Sequence, residues 1–262
     1  MRAPMFVAFR PHLEGRAWMS GPGASQLVVI PARRAHSNHA EVARTIGIDI
    51  ISGRYGEGAK LPGDAELTLF FGVSRPVLRE SVKTLVAKGL LSTKARVGTV
   101  VRERAFWNMF DSDVLAWHLD AGIDQRFLRD LSEIRLAVEP RAATLAAERC
   151  GKAELAVMRR AVAQMREAPG ASESFAEADL ALHVAIAGAS GNPFMRSIGA
   201  VIEAALRASF VLSAPADAHE HDIAVAAHER IVEAIANADA EAAGAAMTKV
   251  IFNGLRRHGA AD

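Results

Sequence analysis

The sequence predicts a mainly α protein, with an N-terminal winged helix-turn-helix followed by an all-helical bundle. Three observations predict it. Residues 1–104 hold 16 Lys and Arg against 8 Asp and Glu, and residues 105–262 hold 15 against 22, so a net charge of +1 conceals a front half of +8 and a back half of −7. Between residues 38 and 103 the apolar pattern spells helix, helix-turn-helix and two-stranded hairpin. Beyond residue 122 an alanine-rich, aromatic-poor sequence keeps a helical period to Arg257. A chain of 262 residues also exceeds what one core commonly needs.

Residues 1–37 contain Arg2, Arg10, Arg16, Arg33 and Arg34 among scattered Gly and Pro, which predicts a disordered arm. The apolar run Leu27–Ile30 is too short for a signal peptide. Asn38 is placed to cap a helix from His39 to Ser52, striped by Val42, Ile46, Ile48, Ile50 and Ile51. A second helix, Asp64–Phe71, stops at Gly72, and a third, Arg75–Ala87, follows Ser74 and ends at Gly89. Leu90–Val101 then forms a hairpin about a Lys94–Gly98 turn, closing a domain over 38–103.

A linker, 104–122, carries Trp107, Trp117, Asp111 and Asp113. The helical domain, 123–258, divides into helices over 124–149, 152–167, 172–189, 193–212, 216–238 and 240–257. Cys150 is the single cysteine, so no disulfide closes within the chain, and a reducing cytoplasm fits. No apolar run approaches the ~18 residues of a membrane span, so no membrane partner is expected.

The third helix shows why the basic half points to DNA. Leu78, Val82 and Leu85 recur on one face, and Arg75, Arg79 and Lys83 recur at i, i+4 and i+8 on another. Its N-terminus, Ser74-Arg75-Pro76, projects unpaired N–H groups beside an arginine, a combination suited to a phosphate and a guanine edge. Lys94 and Arg96 place two cations at the hairpin tip, and Gly98 lets the backbone approach closely. A single basic residue on a helix is ordinarily just a solvated face. The order of elements, the Gly-Val-Ser turn and the basic wing together favour double-stranded DNA.

These residues also resemble a known family. Leu61-Pro62-Gly63-Asp64-Ala65-Glu66-Leu67, Phe71-Gly72-Val73-Ser74-Arg75, Val77-Leu78-Arg79-Glu80, Lys88-Gly89-Leu90-Leu91 and Val97-Gly98-Thr99 resemble the winged helix-turn-helix of the GntR family, over about residues 39–103. The resemblance implies a homodimer on a palindromic operator, with Arg75, Arg79 and the wing glycine near DNA. The chain departs from the family at Ala65, where an arginine is usual, so the usual half-site bases do not carry over.

In the helical half, Asp179 and His183 share a helix face amid Ala, Leu and Val, so both are expected to point inward. Buried ionisable groups need partners. With His228 from another helix they form a set acceptable to a first-row metal, and a hydrogen-bonded Asp–His pair without metal is the other reading. Arg135 lies on a mostly apolar helix, where it could meet a carboxylate effector through its planar fork or pair with Glu139 at i+4. Asn192, before Pro193, could cap a helix or reach the effector. Arg207 is a weaker pocket candidate, and His219 and His221, in an Ala- and Asp-rich stretch, are expected to face solvent.

Glu133-Ile134-Arg135-Leu136-Ala137-Val138-Glu139-Pro140, Asp179-Leu180-Ala181-Leu182-His183, Gly188–Pro193 and His228–Ile235 resemble the FCD ligand-binding domain of FadR-type regulators. The segment Trp107–Trp117 is similar to the linker of galactonate-type regulators. The resemblance implies a divalent metal (Zn, Ni or Mn) on an Asp-x3-His pair and two further histidines. Asp179, His183 and His228 match three of these positions, and the fourth falls at Val250, which cannot ligate. The function so implied is a repressor of a sugar-acid or other carboxylate catabolic operon, released by its effector. A metal-dependent enzyme using the same triad lacks a nucleophile or general base with matched partners. An effector-independent architectural protein leaves the inward polar set without a purpose.

Overall fold

The computed structural model describes residues 39–122, 125–169, 172–213 and 217–257. The N-terminal arm and the capping role expected of Asn38 lie outside the described residues.

Helix α1 (His39–Ile51) buries Val42, Ala43, Ile46, Gly47 and Ile50, a stripe at helical spacing. Helix α2 (Asp64–Phe71) ends at Gly72, whose left-handed φ of 63° lets its N–H return to the last turn. Helix α3 (Arg75–Ala87) accepts Pro76 in its first turn, where no helical N–H is lost, and buries Leu78, Ser81 and Leu85. Strands β1 (Leu91–Lys94) and β2 (Gly98–Val101) pair antiparallel, with Leu91 opposite Val101 and Lys94 opposite Gly98. An isolated bridge from Lys60 to Val100 extends the wing by one residue.

The linker contains more structure than its composition suggests. After a 3₁₀ turn at Arg104–Phe106 comes helix α4 (Ser112–Ala121), whose N-cap Asp111 accepts from the N–H groups of Asp113 and Val114. One face of α4 buries Val114 and Trp117 in the core of the winged domain. Its Leu115 packs instead with Phe127, Leu131, Val201, Ala204 and Ala205 of the helical domain. A single ten-residue helix therefore belongs to both cores.

The helical domain comprises α5 (Gln125–Arg149), α6 (Lys152–Glu167), α7 (Glu173–Ala189), α8 (Pro193–Ser197), α9 (Gly199–Ser213), α10 (Ala218–Ala236) and α11 (Ala240–Arg257). Its main core joins alanines of α5, α7 and α10 to Met158, Met165, Leu182, Ile186, Ile231 and Met247, small side chains allowing close helix approach. The single helix expected over 193–212 is two. The carbonyl of Ile198 accepts from Val201 and Ile202, so a new helix begins at Gly199, a residue that weakens helix continuation. No helix among the described residues is long and apolar enough to cross a membrane.

Candidate functional site

Two surfaces of different chemistry emerge. On the winged domain, Arg75 and Arg79 are exposed on α3, and among the described residues neither forms an ion pair. Ser74 stands at the N-cap in extended conformation without a side-chain cap bond. Lys83 shares their face but lies 2.8 Å from Glu80, so part of its charge is already answered. At the wing tip Lys94 and Arg96 are exposed, and Arg96 takes the left-handed region at φ 63°. Gly98 has φ 104°, which L side chains rarely adopt, and a Cβ there would stand 2.9 Å from Lys60 Cε. Lys60 is thus a third exposed cation of the wing, brought in by its bridge to Val100.

Behind this surface, Lys88 caps the C-terminus of α3 and reaches the first turn of α4. Its Nζ lies 2.6 Å from Asp111 and 2.8 Å from Asp113, and 5.6 Å from the Trp117 ring centre. Burial acts to lower the Lys88 pKa, but the hydrogen bonds it donates to the two carboxylates, with their charge, more than offset it, so it stands above the ordinary lysine value.

In the helical domain a chain of buried charge runs through three helices. Arg135 Nε donates to Glu139 Oε1 at 2.5 Å along α5. Glu139 Oε2 accepts from His183 Nδ1 on α7. His183 Nε2 faces Asp179 Oδ1 at 3.4 Å, and His228 Nε2, from α10, faces the same oxygen at 3.0 Å. These last approaches lack hydrogen-bond geometry: Asp179 Oδ1, His183 Nε2 and His228 Nε2 are buried without a hydrogen-bond partner among the described residues. The three atoms lie within 4.8 Å of one another.

The outer contacts explain that convergence. The Ala224 carbonyl can only accept, so His228 Nδ1, 2.7 Å away, carries the hydrogen. Glu139 likewise holds the hydrogen on His183 Nδ1. In neutral rings both Nε2 lone pairs then turn toward a carboxylate oxygen, and three acceptors meet at a place suited to a cation. A proton supplies one such charge. Burial opposes a protonated His183, but Glu139 and Asp179 outweigh it and raise its pKa to about 9. Burial also opposes the charged carboxylates, yet His228 and His183 hold Asp179 well below the usual range, and Arg135 and His183 bring Glu139 to about 2. The donor set also suits a divalent ion, since two imidazole nitrogens and a carboxylate oxygen are a common first-row set. Beside His228 opens a cavity of about 380 Å³, lined by Glu220, Ile223, Ala224 and Ala227 of α10 and Val250 and Asn253 of α11.

Comparison with known proteins identifies both halves. Residues 38–101 match the family described as bacterial regulatory proteins, gntR family, and residues 130–253 match the FCD domain. The galactonate operon transcriptional repressor of Escherichia coli is 34% identical over 213 residues, covering 81% of this chain and 93% of the repressor. The chain belongs to the GntR family of transcription regulators, in its FCD-bearing branch. The transcriptional repressor NanR of Edwardsiella tarda is 29% identical, over 78% of this chain and 71% of its own. Among solved structures, Lar, which controls the expression of the Listeria monocytogenes agr system, superposes with a TM-score of 0.60 at 17% identity, covering 86% of this chain and 97% of its own, a likeness of fold. The regulator is a ligand-responsive DNA-binding protein, not an enzyme.

Within this regulator the structure brings Asp179, His183 and His228 together and leaves other expected site residues apart. Arg135 is buried and engaged with Glu139, and it is not among the residues that line the cavity at His228. Asn192 caps α8, accepting from the Phe194 N–H at 2.9 Å. Arg207 is exposed and pairs with Glu203 on its own helix. His219 is exposed as expected, but His221, expected to face solvent, is buried, with Nε2 3.0 Å from the Met165 carbonyl and its ring against Phe175. The reason is periodic, since His221, Ala224, Val225 and His228 form one inward stripe of α10. Glu139 was visible in sequence only as a partner for Arg135. Its role toward His183 needs α5 and α7 side by side.

Proposed function

We propose that this regulator represses a sugar-acid catabolic operon and that a hydroxycarboxylate effector, bound at a divalent metal on Asp179, His183 and His228, releases it from DNA. The observation that carries this reading is the convergence of three buried nitrogen and oxygen atoms, none with a hydrogen-bond partner among the described residues, and a cavity beside His228. The galactonate operon repressor among its relatives supports the sugar-acid class. Bound there, the metal supplies a Lewis-acidic centre for carboxylate and hydroxyl oxygens. Glu139 holds His183 in its ligating tautomer, and Arg135 holds Glu139, so Arg135 acts as a positioning residue.

On DNA, Ser74, Arg75 and Arg79 address base edges and phosphates in the major groove. Lys94, Arg96 and Lys60 serve phosphates near the wing, and Gly98 permits their approach; Lys83 adds a weaker, Glu80-shared charge. Two such heads on a palindrome require a homodimer, working in the cytoplasm. An effector shifts their placement only by its differential affinity for two conformations, so operator and effector weaken one another by the same factor.

The test combines metal analysis of purified protein, calorimetry with D-galactonate before and after chelation, and gel shifts on the operon's upstream DNA. The expected result is metal-dependent heat, a dimer mass by light scattering, and release of DNA by galactonate. Folded, metal-bearing protein that gives no heat with any sugar acid overturns the effector class. Monomer mass with and without DNA overturns the paired heads.

A further inference from the structure

Helix α5 leaves one long stripe open. Asp130, Ile134, Ala137 and Arg141 recur at i, i+4, i+7 and i+11, and all four are exposed. Helices α7, α9, α10 and α11 pack on the other sides of α5. Among the described residues, the charged side chains of α5 that form ion pairs are Arg135 and Glu139, so Asp130 and Arg141 are unanswered. At the Asp130 end the stripe adjoins an apolar cleft of about 170 Å³, whose lining includes Met109, Phe110, Leu131 and Ile134. Phe110 is 59% exposed there. Phe106, on the preceding 3₁₀ turn, is 54% exposed and lies under the Arg102 guanidinium at 4.2 Å. Large apolar side chains left open beside a charged stripe mark a surface for another protein.

The stripe is complementary to itself. In an antiparallel pair of α5 helices centred between Arg135 and Leu136, Asp130 and Arg141 stand equally far from the centre, as do Ile134 and Ala137. An acid then faces a base and a large apolar side chain faces a small one, each contact repeated by the two-fold axis. Resting on the paired-head reading above, we propose that two copies of this chain join through α5, antiparallel, with Asp130 on the partner's Arg141 and Ile134 on the partner's Ala137. The aliphatic stem of the partner's Arg141 crosses the cleft while its guanidinium reaches Asp130. The stripe is roughly 17 Å long at 1.5 Å per residue. A specific interface buries about 1,000 Å² or more, so the open faces of Phe110 and Phe106 belong to it as well. An unlike partner would not need this symmetry of charge and size. The inner face of the same helix carries Arg135 and Glu139, and its first turns hold Leu115 of α4 through Phe127 and Leu131. The dimer axis therefore stands on a helix that touches both the triad and α4.

The experiment uses the full chain. Sedimentation equilibrium over a dilution series gives the dimer dissociation constant of wild type, Asp130→Arg, Arg141→Asp and an equimolar mixture of the two variants. Each variant alone sets like charges against one another at both symmetric contacts. Each is expected to raise the constant about tenfold or more, with circular dichroism unchanged because both side chains are exposed. Mixed, the two variants oppose unlike charges at both contacts and are expected to form a heterodimer with about the wild-type constant. A lost contact within one chain would not be rescued by mixing. Dimeric wild type, with both variants matching it, overturns the α5 interface and spares the paired heads. Weakened variants that mixing fails to rescue overturn the interface as well. Wild type that stays monomeric with and without DNA overturns both.

Discussion

Replacing Gly47 with alanine tests whether Trp117 is seated as described. A methyl group at Gly47 would stand 2.3 Å from Trp117 Cε3 and 2.5 Å from Cζ3. Carbon atoms pack best at about 3.5–4.0 Å, so the indole must withdraw by roughly 1 Å or more. Trp117 is 5% exposed and wedged in the winged-domain core, and overpacking of this kind costs about 1–3 kcal/mol. Gly→Ala inside a helix, taken alone, stabilises by about 1 kcal/mol. The two oppose, and the clash wins: Gly47→Ala should destabilise by up to about 2 kcal/mol. Urea unfolding measures the change, and Trp117 fluorescence reports the displaced ring. The double variant Gly47→Ala/Trp117→Leu should recover part of the loss attributable to the clash, which a double-mutant cycle isolates. A single variant that gains about 1 kcal/mol, as an unencumbered helical glycine would, refutes the seating of α4 on α1.

Arg75→Ala should cost about 1–3 kcal/mol in operator affinity and relax sequence preference, whereas Arg96→Ala or Lys60→Ala should weaken all sequences alike and lower the salt slope by about one; gel-shift titrations at several salt concentrations separate the two. Glu139→Gln should lower metal affinity about 10–100-fold by loosening the His183 tautomer, read by competition with a chelator, while circular dichroism stays unchanged. Lys88→Met keeps the aliphatic stem but removes the contacts to Asp111 and Asp113; it should cost about 1–3 kcal/mol, and gel shifts with and without galactonate should show a smaller effector-induced change in DNA affinity.

The winged domain was legible in the sequence almost residue for residue, because its signals are local. Gly72, Ser74, Pro76 and Gly98 each announce a turn or a helix end, and the Leu78–Leu85 spacing announces a buried face. Helix α4 carried a local signal too, an Asp111 cap before Val114, Leu115 and Trp117, but two tryptophans and flanking turn residues made the segment read as a connector. What periodicity does not contain is the meeting of distant segments. Asp179 and His183 predicted each other at i, i+4, yet the approach of His228 to the same oxygen depends on how α7 packs on α10. The closing of Arg135 on Glu139, and of Glu139 on His183, depends likewise on α5. His221 was misplaced for a related reason: polar neighbours suggested solvent, but the face it shares with His228 decides its burial.

The same packing links the triad to the winged domain. His183 lies one turn before Ala187 on α7, and Ala187 packs against Ile202 and Leu206 of α9. The adjoining face of α9, Val201, Ala204 and Ala205, holds Leu115 of α4. Two residues on, Trp117 sits against Gly47 of α1, and Asp111 at the start of α4 grips Lys88 at the end of α3. The steps through α9 and Trp117 are buried contacts between helices, and close-packed interiors shift between discrete arrangements rather than deform smoothly. A contiguous route is not itself a coupling. Its content is that α4 has no independent position: a change in α9 that moves Leu115 must either move Trp117 and Lys88 or open a void in one of the two cores. Gly47→Ala and Lys88→Met disturb opposite ends of α4 without touching the triad, so both should reduce the reciprocal effect of effector and operator while leaving metal binding intact.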